Sequence, residues 1–93
     1  MVKTKRSKIH GRGLFADQPI RKGTLIGHLE TKPVEKDGAY VLWLSETEAV
    51  RVLNQFRFIN HSSRPNVAYY DDLTVVALKD IKEGDELVHN YNS

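Results

Sequence analysis

The run "RFINHSSRPN", residues 57 to 66, places a dense set of hydrogen-bonding side chains directly behind the apolar pair Phe58-Ile59. An asparagine amide such as that of Asn60 both donates and accepts, so it can read a ligand that carries both kinds of group. The same ten residues also suit an Asx turn followed by a proline turn, with Asn60 and Asn66 bonding only their own backbone. From this stretch alone both readings stand. Zinc is a poor alternative. His10, His28, His61 and His89 show no ligand spacing, and no cysteine is present to help them. The lack of cysteine also removes a disulfide framework and a thiol nucleophile, and it fits a reducing, intracellular setting.

Two further stretches carry residue types of the same kind. In "HGRGLFA" (10 to 16), Gly11 and Gly13 flank Arg12. Glycines let a backbone approach a ligand closely and offer its amides as donors, although a plain β-turn uses them too. "GDELVHNY" (84 to 91) ends on the phenol of Tyr91, and "AYVLWL" (39 to 44) holds Tyr40 and Trp43. Trp43 is expected in the core.

The elements that position these residues read as short strands at 13–16, 24–29, 39–44, 67–70, 73–78 and 86–88, rich in Val, Leu, Ile and Tyr and separated by turn signals. "SETEAVRVLNQF" (45 to 56) reads differently. Ser45 followed by Glu48 has capping-box spacing, and Val50, Leu53 and Phe56 form an i, i+3 stripe, so a short helix is expected over about 46–54. "ETKPVEKDG" (30 to 38) is expected to be a mobile loop. One internal echo stands out: Ala16, Ile20 and Gly23 recur as Ala77, Ile81 and Gly84 in "FADQPIRKGTLI" and "VALKDIKEGDEL". Each copy reads as strand, tight turn, strand, with a Gly able to take positive φ. Two copies are too few for a solenoid and suit similar β units at the two ends of one fold.

Ninety-three residues suffice for one domain, 1–93, and composition is ordinary for a globular protein, 40% hydrophobic and 28% charged. No apolar run approaches the length of a transmembrane helix, and no apolar h-region follows the basic N-terminus, so no membrane partner is expected. The net charge of +2 is uneven. Residues 1–23 carry seven basic groups against Asp17, and residues 71–93 carry six acids against two lysines. Either the two ends attract each other, or a basic end meets an anionic partner and an acidic end a cationic one. Aromatic-basic interleaving of the stacking kind is absent, so direct nucleic-acid binding is not expected.

Taken together and in order, "HGRGLFA", "RFINHSSRPN" and "GDELVHNY" resemble the signature of the SET-domain protein lysine methyltransferases, over almost the whole chain from about Ser7 to Tyr91. Gly-Arg-Gly alone is weak; the second stretch is specific, and the third at its distance makes the set very specific. The resemblance implies a mostly β fold of short sheets with one short helix, whose C-terminal segment threads under a loop as a pseudoknot. It implies S-adenosyl-L-methionine as cofactor and the side-chain amine of a protein lysine as acceptor, on a histone or another basic protein, without a metal. By resemblance Gly11, Arg12 and Gly13 wrap the methionine end of the cofactor. Asn60 and His61 contact it, His61 largely by its backbone, and Arg57 sits near the pocket. Tyr91 lies where the methyl passes, and Tyr40 lines the lysine channel. Tyr69 and His89 are the two positions able to limit the number of methyls added.

The sequence departs from that pattern in places. Asp85 and Glu86 stand where the family usually has two glutamates, and Ser63 where many members have cysteine. The insert between Trp43 and Arg57 is short. The cysteine-rich zinc segment that often follows the tyrosine is lacking, since the sequence runs only two residues past Tyr91. The substrate wall then looks incomplete: a homodimer or another chain completes it, or it stays open. The alternative is a non-catalytic SET-like binding module.

Overall fold

In the computed structural model, which describes residues 1–91, the two echoed segments bond to each other. Ile20 and Ile81 form an antiparallel bridge with N–H···O distances of 2.8 and 2.7 Å. The flanking bonds repeat in matched pairs. Gly23 N–H to Ala77 O at 2.8 Å matches Gly84 N–H to Ala16 O at 2.8 Å, and Ala77 N–H to Thr24 O at 3.0 Å matches Ala16 N–H to Asp85 O at 2.9 Å. Gly23 and Gly84 hold φ of 86° and 91°, where a side chain would be strained. The echo is therefore one local two-fold unit, and its Ala16, Ile20, Ala77 and Ile81 are buried in the core.

In chain order the strands are β1 (Val2–Arg6), β2 (Arg12–Ala16), β3 (Leu25–His28), β4 (Thr31–Val34), β5 (Val41–Trp43), β6 (Ala49–Val52), β7 (Asn60–His61), β8 (Val67–Tyr69), β9 (Thr74–Ala77) and β10 (Val88–His89), with a 3-10 turn at Gln55–Phe58 between β6 and β7. They make four small sheets: β1-β2, β3-β9-β8 and β4-β6-β5, all antiparallel, and the parallel pair β7-β10. Leu14, Ile59, Val67, Val75, Ile81 and Leu87 are fully buried at the centre. The mostly β class and the short sheets are as expected.

The helix expected at 46–54 does not form. Residues 49–52 are the central strand of β4-β6-β5, paired on both sides. Val50 and Val52 are β-branched and favour a strand, and two neighbours satisfy a backbone that an isolated short helix would leave marginal. The Ser45 signal is real but serves a turn. Ser45 Oγ accepts from Thr47 N–H at 3.2 Å and Glu48 N–H at 3.1 Å, and Leu44 N–H reaches Glu48 O at 2.8 Å, closing the β5–β6 hairpin. The stretch expected to be a loop contains β4. Its Pro33 is tolerated because β4 is an edge strand. Strand β1 carries no apolar alternation strong enough to announce it and exists through its five-residue register with β2. Trp43, expected in the core, is 44% exposed on β5.

Candidate functional site

One loop grips the C-terminal segment from two sides. On one flank β10 lies beside β7, and Ser62 N–H donates to His89 O at 3.1 Å. On the other, buried Asn66 acts as a strand in miniature. Its Nδ2 donates to Glu86 O at 2.8 Å, its Oδ1 accepts from Val88 N–H at 2.8 Å, and its own N–H donates to Val88 O at 3.1 Å. Neither asparagine satisfies only its own turn. Asn60 Nδ2 reaches His10 O at 3.1 Å, Arg12 O at 3.2 Å and Glu86 Oε2 at 2.9 Å. The polar residues behind Phe58-Ile59 thus hold the N-terminal loop and the C-terminal strand together.

A cavity of about 490 Å³ opens at this junction, lined among others by Ile9, Tyr40, Phe56, Asn60, Tyr69 and Tyr91. Four aromatic rings crowd one side of it. Tyr69 and His89 stack with centroids 4.2 Å apart, His89 meets Tyr91 edge-on at 5.1 Å, and His61 lies nearly parallel to Tyr91 at 5.8 Å. Tyr91 is fixed at both ends. Its hydroxyl donates to Ile59 O, and its backbone N–H donates to His61 Nδ1 at 3.2 Å, which makes Nδ1 the nitrogen without a proton.

Burial favours the neutral forms of Tyr69, Tyr91 and His89. Burial pushes the Tyr69 phenol far up, and Tyr91 adds to the effect by its charge and its hydrogen bond. Burial also pushes Tyr91 up, against the hydrogen bond from Tyr69. Burial holds His89 below the usual imidazole range; the Val67 carbonyl opposes this and His61 reinforces it. An apolar cavity whose wall also carries the Arg57 cation favours an amine over its ammonium form.

The expected site residues divide into groups. Asn60, His61, Tyr40, Arg57, Tyr69 and Tyr91 line the cavity, and His89 stacks behind Tyr69. Gly11 and Arg12 line instead a second, more polar recess with Arg6 and Ser7. Arg57 is built into the wall: its Nη1 donates to Leu53 O and Asn54 O, both at 3.0 Å, and its guanidinium lies 4.3 Å from the Phe58 ring centre. Tyr40 holds φ of 62°, rare for a bulky residue, with its ring edge-on to Phe58 at 6.0 Å. Gly13 has a reason other than ligand approach, since a Cβ there would lie 2.4 Å from Glu86 Oε2. The sequence reading missed Glu86, which accepts from Ser7 Oγ at 2.8 and 2.9 Å as well as from Asn60. Its signal was only its place in "GDEL".

A SET domain family model matches residues 11–92. The chain belongs to the SET domain family. The histone-lysine N-methyltransferase MEDEA of Arabidopsis thaliana is 30% identical over 92% of this chain, and the human histone-lysine N-methyltransferase 2B is likewise 30% identical over 92%. The chain spans only 16% and 4% of the length of these two relatives. A Plasmodium falciparum crystal structure assigned as a histone methyltransferase superposes with a TM-score of 0.78, covering 100% of this chain and 98% of that one at 19% identity, which shows the SET fold alone.

Proposed function

We propose that this SET domain uses S-adenosyl-L-methionine to methylate the side-chain amine of a protein lysine, with a histone or another basic protein as substrate. The observation that carries this reading is the neutral phenol pair Tyr69–Tyr91 in a cavity that Asn60 and His61 also line. Its lysine-methylating relatives support the same activity.

The residues present fit the cofactor. Asn60 Oδ1 meets no protein donor among the described residues, and it belongs to a side chain on the cavity wall. Asn60, His61 and the loop from Ile9 to Gly13 would hold the amino-acid and adenine ends. When bound, the cofactor supplies an electrophilic methyl on sulfur.

The chain's own contribution is protonation and placement. A lysine amine must be neutral to attack, and at a reference pKa of about 10.4 only about one in a thousand is neutral near pH 7.4, a cost of about 4 kcal/mol. Neutral aromatic walls lower that cost by disfavouring the ammonium. Tyr91, held by Ile59 O and His61 Nδ1, is rigid enough to orient the amine, and in-line transfer depends chiefly on such placement. The Tyr69 hydroxyl fills space beside it, and we expect the product to carry one or two methyls. A second copy of the chain is expected to cover the exposed Tyr40, Trp43 and Leu44.

One experiment series tests this. Calorimetric titration should show S-adenosyl-L-methionine binding. Mass spectrometry of a histone mixture after exhaustive reaction should then show lysines gaining one or two methyls, and sedimentation of the active sample should show twice the chain mass. No binding overturns the reading. Binding without transfer leaves a binding module, trimethyl product removes the Tyr69 assignment, and an active monomer removes the second copy.

A further inference from the structure

The cavity wall holds a cation and no anion. No aspartate or glutamate lines it, and Arg57 is its only arginine or lysine. Arg57 also lacks a carboxylate of its own. Among the described residues the one ion pair joins the Met1 amino group to Asp17. The side chain is nevertheless held. Its Nη1 donates to Leu53 O and to Asn54 O, both at 3.0 Å, which uses both N–H groups of that nitrogen. Its Cζ lies 4.3 Å from the Phe58 ring centre and 5.9 Å from that of Tyr40. What remains is Nε and Nη2, and among the described residues neither has a hydrogen-bond partner. These two nitrogens share one edge of the planar group, and their parallel N–H groups match the two oxygens of a carboxylate. With Nη1 tied to the backbone and the plane set between two rings, that edge loses little freedom when a partner arrives.

We infer that Arg57 is a specificity-determining residue whose free Nε–Nη2 edge takes the carboxylate of an aspartate or glutamate close in sequence to the acceptor lysine. The inference rests on the lysine-methylating reading above and narrows its substrate class to lysines with an acidic neighbour. The same charge repels a lysine or arginine at that place, so attraction and repulsion sort substrates in the same direction. The two kinds of wall divide the work. The aromatic groups of Tyr69 and Tyr91 face the amine, and Arg57 reads the residue beside it.

The test uses peptides with a single lysine and with glutamate, glutamine or arginine at one of the two positions on either side of it. Each is also made with norleucine in place of the lysine, so that binding is read without transfer. At one of these positions the native protein should bind and methylate in the order glutamate, glutamine, arginine, with about tenfold between the first two, the scale of one hydrogen bond to a charged group. Arg57→Gln should bring the glutamate and glutamine peptides within about twofold of each other. Arg57→Lys, which keeps the charge and loses the fork, should restore only part of the preference. A merely structural role would lower all peptides together and keep their ratios, which overturns the inference. Equal values for glutamate and glutamine at every position in the native protein also overturn it, and that result needs no variant to fold. Weaker S-adenosylhomocysteine binding by Arg57→Gln with the peptide ratios kept gives the fork to the cofactor's carboxylate and overturns it as well. A glutamate preference in binding with no peptide methylated sinks the methyl-transfer reading and leaves Arg57 its assignment. A native chain that neither binds nor methylates any peptide overturns both.

Discussion

Tyr91 is anchored at its hydroxyl by Ile59 O and at its backbone by His61, so removing the hydroxyl leaves the backbone anchor to hold the segment. Tyr91→Phe is expected to keep its fold, at a cost of about 1 kcal/mol for the bond lost to Ile59 O, and its cofactor affinity, and to lose on the order of a hundredfold in kcat with little change in KM, as for an orienting contact made at transfer. An unchanged kcat in pure enzyme would take Tyr91 out of the site. His89 makes a prediction about acid. Its folded pKa lies below the unfolded value near 6.5, so below that value the unfolded chain binds a proton that the folded chain does not. Stability should therefore be full above about pH 6.5 and decline as pH falls through the range just below it. Asp72, whose carboxyl is held below its usual range chiefly by the Thr74 hydroxyl and amide, should contribute its own loss only at still lower pH. Melting temperature followed from pH 7.5 to 5.0 should fall in the native protein and flatten in His89→Gln; parallel curves would refute the assignment.

At the scale of elements, short strands are specified by their partners more than by their own residues. Strand β6 shows this, since its local signals read as a helix and its two neighbours make it a strand. The capping-box spacing at Ser45 was legible but ambiguous, because one hydroxyl near two backbone amides serves a helix start or a tight turn equally well. Gly27 is a second case. It sits beside the register shift in β3, and a Cβ there would lie 2.6 Å from Cζ and 2.8 Å from Cε2 of buried Phe56. Gly27→Ala should destabilise by about 1–3 kcal/mol through overpacking, read by chemical denaturation. Gly38→Ala, with its nearest neighbour the Arg51 Nη2 at 3.9 Å, should stay close to neutral. Equal effects would mean that the Phe56 ring moves aside freely.

For the whole molecule, the Ile20–Ile81 pairing joins residues 16–24 to 77–85 and makes the two ends of the chain one unit. Ile81 is 2% exposed, so Ile81→Ala should cost about 2–5 kcal/mol. The loss should appear as one transition, the same by circular dichroism and by fluorescence of Trp43, which stands on the separate β4-β6-β5 sheet. Two separated transitions would show that the sheets unfold independently.

The sequence alone determined the class of fold, and the resemblance of its three motifs to the SET-domain signature singled out the tyrosines, asparagine and histidines now found around one cavity. The fold class was legible because glycine turns and short runs of β-favouring apolar residues act over a few neighbours. The echo of Ala, Ile and Gly was also readable, but that its two copies bond to each other was not, since sequence similarity carries no pairing information. Tertiary structure decided the rest. It made β6 a strand, gave Gly13 its reason in Glu86, built Arg57 into a wall and brought Asn60 against carbonyls 48 and 50 residues away. Each of these depends on a hydrogen-bond partner or a steric limit supplied from a distant part of the chain, and no local pattern encodes which partner arrives.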